Sequence, residues 1–295
     1  MTEPASTGPG DAGKQSGRSA LIGADLPVRA AAGVVMMTLA LAAAWAGGVW
    51  FELFWGVAAV AVATEWTRLA RTRPLANFDN AGIYLAIPLF VLLSQSIFSQ
   101  VSVASIQILF VAAALAAAVC GGALRPRLWT AAGVIYAGSM LISVCLLRAS
   151  SPFGLRAILW LFAVVWGADI MAYFGGRLIG GPKLWVRVSP GKTWSGFLIG
   201  TVSGAAAGLL AAPESSRLWG VFAVGLAAAV ASQGGDLFES AIKRHFGVKD
   251  SGHLIPGHGG IMDRLDGFIA AALVAAIVGA SRGGWGHLAT GVLQW

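Results

Sequence analysis

The densest concentration of reactive side chains lies between Asp236 and Asp266. Asp236, Glu239, Ser240 and Lys243 recur at i, i+3, i+4 and i+7, so on a helix two carboxylates, a hydroxyl and an ammonium group share one face. Asp263 and Asp266, three residues apart, do the same on the following helix. The connecting loop carries Gly247, Gly252, Gly257, Gly259 and Gly260 and lets both sets of carboxylates converge on a hard divalent cation, for which oxygen-ligated Mg2+ is the usual choice. Lys243, Arg244, Lys249 and Arg264 would then meet the phosphates that such a metal bridges, which is the equipment of phosphoryl or nucleotidyl transfer. His253 and His258 do not read as a zinc site: no Cys is near, and their spacing fits neither a helical i, i+4 pair nor a finger. His258, beside Gly259 and Gly260, reads as a phosphate contact or a loop hydrogen-bond donor.

Two further segments carry polar groups that an apolar surrounding would penalise. Asp169 falls deep in an apolar run, and an ionisable group inside a membrane helix is a functional candidate by default. Tyr173 and Gly176 follow it at i+4 and i+7 on the same helix face. Ser189, Lys192 and Thr193 open directly into the next apolar run, where a Ser or Thr cap and a lysine at a helix N-terminus make a ready anion site. Gly191-Lys192-Thr193 is not the end of a P-loop, because the required glycine five positions earlier is Val186.

The elements that position these residues are membrane helices. Hydrophobic residues make up 57% of the 295 and charged residues 11%, whereas a soluble domain carries about a quarter charged residues and could not coat itself with so few. The apolar runs are continuous, as in Leu155 to Met171, which excludes a transmembrane β-barrel with its period of two. The expected fold is all-α, a polytopic bundle of nine spans at 31–46, 49–65, 82–98, 104–122, 128–147, 155–174, 196–212, 217–236 and 263–281. Residues 1–29 read as a disordered tail, 30–282 as the membrane domain with polar loops 175–195 and 237–262, and 283–295 as a short tail. Alternate loops collect sixteen Lys and Arg on one side and four on the other. That asymmetry puts the N-terminus and both polar loops in the cytoplasm. The net charge of +7 reports this topology and contact with anionic lipid rather than nucleic acid. Trp129 and Trp160 read as interfacial anchors, Cys120 and Cys145 as small core residues, and Glu52 and Glu65 as groups that cap or pair locally.

The segment Ser240-x-x-Lys243-Arg244, Lys249-Asp250, Pro256-x-His258-Gly259-Gly260-x-x-Asp263-Arg264-x-Asp266 resembles the signature of the phosphatidate cytidylyltransferases, or CDP-diacylglycerol synthases. The likeness extends through Asp169 to Tyr173, through Ser189-Pro190-x-Lys192-Thr193 and through the helix layout, over residues 30–282. The resemblance implies that CTP and phosphatidate give CDP-diacylglycerol and pyrophosphate, with the lipid phosphate attacking the α-phosphorus of CTP. It implies Asp236 and Asp263 as carboxylates of a metal centre holding Mg2+, with or without K+, and Asp266 close by. It also implies phosphate contacts from Ser240, Lys243, Arg244 and Arg264, with Lys192 and its loop over the triphosphate. Gly191 and Ser195 depart from the pattern, which usually has a basic residue and an acid there. The partners implied are CTP, phosphatidate and membrane lipid, with a homodimer left open, in the plasma (inner) membrane. Two other readings compete. A CTP-dependent polyprenol or phytol kinase would release CDP rather than pyrophosphate, and a transporter would place its polar groups at the bilayer midplane with repeat symmetry.

Overall fold

The computed structural model describes residues 31–70, 124–252 and 259–295. They form α1 (Ala31–Ala46), α2 (Gly48–Ala70), α3 (Leu124–Ala149) and α4 (Gly154–Leu178), then a hairpin of β1 (Lys183–Trp185) and β2 (Ser189–Thr193). Next come α5 (Trp194–Gly208), continued by a 3-10 turn to Ala211, α6 (Leu218–His245), α7 (Met262–Gly283) and α8 (Leu288–Leu293). Helices α2 to α7 are six that are long and apolar enough to cross a membrane. They answer the second and the fifth to ninth expected spans. The third and fourth, at 82–98 and 104–122, lie outside the described residues. The first is helical, but its 16 residues reach only about 24 Å at 1.5 Å per residue, short of a hydrocarbon core of about 30 Å.

Several sequence expectations are corrected. The fold is not purely helical, because β1 and β2 pair antiparallel with Lys183 opposite Thr193 and Trp185 opposite Ser189. The polar loop 237–262 is shorter than expected: α6 continues to His245, since Phe238, Ala241 and Ile242 maintain an apolar stripe beside the charged one. Lys243, Arg244 and His245 then fill its last turn, where cations oppose the negative end of the helix dipole. Within the short tail expected at 283–295, α8 is buried against the bundle through Leu288, Val292 and Leu293. Trp160 is fully buried in the core, so it anchors no interface.

Helix α5 carries glycine at 196, 200, 204 and 208, one per turn, along the face that meets α4. A Cβ at Gly200 would stand 2.6 Å from the Ala168 carbonyl and 2.7 Å from the Ala172 Cβ; one at Gly204 would stand 2.6 Å from the Val164 carbonyl. Small residues at this spacing let two backbones approach closely, which is how helices gain packing where lipid offers no hydrophobic drive. The α6–α7 crossing uses the same device beside the acidic residues. A Cβ at Gly235 would meet the Asp266 carbonyl at 2.5 Å, and one at Gly267 the Ser232 hydroxyl at 2.6 Å. Gly200→Ala should therefore lower stability by about 1–3 kcal/mol, the usual cost of overpacking. Gly191→Ala, which meets nothing within 4 Å, should leave it unchanged, as read by thermal unfolding in detergent.

Candidate active site

The N-terminus of α5, the C-terminal turns of α6 and the N-terminus of α7 meet at one end of the bundle, together with the ends of α2 and α4. The hairpin delivers Lys192 there. Thr193 ends β2 in an extended conformation and caps α5, its hydroxyl accepting the Gly196 N–H at 3.2 Å. Lys192 then reaches across to α6 and pairs with Asp236 at 2.6 Å. Gln233, buried one turn earlier, holds the same helices together by donating to the Phe197 carbonyl at 3.0 Å and the Thr201 hydroxyl at 2.8 Å.

Lys243 forms the second link, at 2.7 Å from Asp263 on α7 and 3.5 Å from Glu239 on its own helix. Asp263 is further engaged by backbone donors, accepting from the Gly260 N–H at 2.8 Å and the Ser251 N–H at 3.0 Å. Glu239 is fully buried beside Asp266 and Asp263. Asp169 on α4 lies near enough to Asp266, Asp236 and Lys192 for their charges to act on it. The Asp266 side chain accepts the Gly267 N–H at 2.7 Å. Asp236, Glu239 and Asp263 thus pair with two ammonium groups.

The other expected residues divide. Ser240 joins the cluster, its hydroxyl donating to Asp236 at 3.4 Å. Ser189 lies on β2, next to the turn rather than at the carboxylates. Arg244 is exposed and donates to the Val248 carbonyl at 3.3 Å, closing the end of α6. Lys249 is exposed on the turn that follows, and Arg264 is exposed on the first turn of α7. Tyr173 is also exposed and turns away toward Arg177, whose guanidinium donates to its hydroxyl at 2.7 Å. His258 lies outside the described residues, as does His253.

Carboxylate oxygens are the hard donors that a hard divalent metal takes. In this arrangement the lysines stand on the expected metal pair, Asp236 and Asp263, and among the described residues no three acidic, His or Cys side chains converge closely enough to hold an ion. The donor chemistry fits Mg2+; the two carboxylates would take it in exchange for their ammonium partners.

Sequence reasoning missed the reach of Glu65. Rather than capping or pairing locally, it crosses from α2 to the start of α7, accepting the Ile261 N–H at 3.0 Å and the Met262 N–H at 2.8 Å. The usable signal was the one applied to Asp169, an ionisable group inside an apolar helix.

Residues 27–281 match the model of the cytidylyltransferase family. The chain is 43% identical over 258 residues to a protein from Brucella abortus named phosphatidate cytidylyltransferase, covering 87% of this chain and 94% of that one. Proteins of the same name from Rickettsia bellii and Staphylococcus haemolyticus are similar over shorter stretches, at 40% over 144 residues (44% of this chain, 61% of that one) and 44% over 124 residues (41% and 48%). The matched region spans Asp169, Lys192, Asp236 and Asp263 alike, and the chain belongs to the cytidylyltransferase family.

Proposed function

We infer that this chain is a phosphatidate cytidylyltransferase, a multi-pass membrane enzyme that makes CDP-diacylglycerol and pyrophosphate from CTP and phosphatidate. The observation that carries the reading is the likeness to a protein of that name over 87% of the chain, beside a family match over residues 27–281 that takes in every described member of the carboxylate and lysine cluster. A phosphate monoester carries about −1.5 to −2 charge at neutral pH, so the nucleophile needs no general base. One of its oxygens bonds to the α-phosphorus of CTP while the bond from that phosphorus to the bridging oxygen breaks, and pyrophosphate departs with the electron pair. The difficulty is bringing two anions together, and fixed positive charge is the remedy.

Lys192, at the N-terminus of α5 and within reach of Asp236, is placed to exchange its carboxylate for a triphosphate oxygen. Lys243 and Ser240 face the same gap from α6, with Arg244, Lys249 and Arg264 as outer phosphate contacts. Asp236 and Asp263 are the residues that would hold Mg2+, alone or beside K+, and the cation supplies charge neutralisation at the phosphate oxygens when bound. Asp266 stands three residues after Asp263 on α7, and Asp169 on α4 lies near enough to Asp236 for its charge to act there. The charge asymmetry of the loops supports a cytoplasmic position for the cluster, where CTP is available. A reporter fused after Trp295 should accordingly report the opposite side.

Purified protein in detergent should release pyrophosphate from CTP only when phosphatidate and Mg2+ are both present. Release of CDP would indicate a kinase, and no CTP turnover would remove the assignment. In the same assay Asp236→Asn and Asp263→Asn should each lose about a hundredfold or more, the scale for deleting a charge-stabilising group. Asp250→Asn, exposed in the loop, should be milder. Near-normal turnover and Mg2+ dependence in both first variants would exclude the pair as the metal centre.

A further inference from the structure

Glu65 is 1% exposed, on a helix far from the signature in sequence, yet all its described hydrogen bonds run to the signature loop and helix. One oxygen accepts the Ile261 N–H at 3.0 Å. The other accepts the Met262 N–H at 2.8 Å and the Ser251 hydroxyl at 3.1 Å. A buried carboxylate is tolerated only when so satisfied, and the first amides of a helix are donors with no partner inside that helix. The loop is shaped around this group from both sides. A Cβ at Gly252 would stand 2.8 Å from the first Glu65 oxygen, and one at Gly260 would collide with the second and with the Ser251 hydroxyl. Only glycine at these two positions leaves room for the carboxylate.

The same short backbone stretch also binds Asp263, through the N–H groups of Ser251 and Gly260. Ser251 therefore touches both acids, giving its hydroxyl to Glu65 and its N–H to Asp263. Ile261 and Met262, fixed by Glu65, immediately precede Asp263 in the chain. We propose that Glu65 is a positioning residue of the transfer reaction: from α2 it fixes both ends of the signature loop and the first turn of α7, and so sets where Asp263 and Asp266 stand relative to Asp236. The proposal rests on the cytidylyltransferase reading and adds to it a residue that does not itself touch the reacting atoms.

Glu65→Gln preserves volume but has one oxygen. Whichever way the amide is turned, its NH2 faces one of the two backbone donors. The variant should fold, yet turn over at least tenfold more slowly per folded molecule in the pyrophosphate assay. It should also exchange the Ile261 and Met262 amide hydrogens faster. Glu65→Asp, which keeps both oxygens on a shorter stem, should recover part of the turnover. A purely structural role predicts less folded protein with unchanged turnover per folded molecule, and that result overturns the proposal. Should Glu65→Gln fail to fold, Glu65→Asp is judged by the same two readouts against the parent. Parent protein that releases no pyrophosphate would instead refute the functional reading, and the exchange rates would still decide whether Glu65 orders the loop.

Discussion

Charge carried into an apolar bundle must be neutralised locally, and here that is done by lysines that cross between helices. Lys192 ties the hairpin and α5 to Asp236 on α6; Lys243 ties α6 to Asp263 on α7. Each link spans elements rather than turns of one helix, so these side chains and the helix ends hold one another in place. Removing one partner of the Lys243–Asp263 link, whose side chains are 14% and 10% exposed, would leave a largely buried charge uncompensated, which costs more than a surface pair contributes. The same pairs give the site its latent chemistry. A carboxylate held by an ammonium group is one that binds cations, and a lysine held by a carboxylate is one that can be transferred to a phosphate.

The packing below the site serves these links. Glycines on α5 bring its backbone onto α4, and Gly235 and Gly267 bring α6 onto α7 at the level of Asp236 and Asp266. Without those close crossings the side chains of three helices could not share one pocket of charge. Glu65 completes the scheme from α2 by capping α7, a reach that depends on Gly252 and Gly260 lacking side chains.

Most of the site was legible because its logic is periodic. The i, i+3, i+4, i+7 spacing put Asp236, Ser240 and Lys243 on one face, and the Thr193 cap was readable from its place before an apolar run. What escaped was non-local or atypical. Glu65 meets Met262 across 197 positions, which no spacing rule connects. The hairpin was missed because β2 contains Pro190 and Gly191, residues that strands avoid. Trp160 was misread because its type favours interfaces, whereas here it is buried where Gly208 leaves room for its indole. Tyr173 shares the face of Asp169 in sequence, but its hydroxyl finds a partner in Arg177 on the next turn.

If Lys192 and Asp236 act as one unit that opens to receive the triphosphate and the metal, their substitutions must be coupled. A double-mutant cycle on kcat/KM for CTP, using Lys192→Ala, Asp236→Asn and the combination, measures that coupling directly. The double variant should then be impaired little more than the worse single one, a coupling of about 1 kcal/mol or more, as expected for residues in contact. Losses that simply add, within about 0.3–0.5 kcal/mol, would show two independent groups and contradict it.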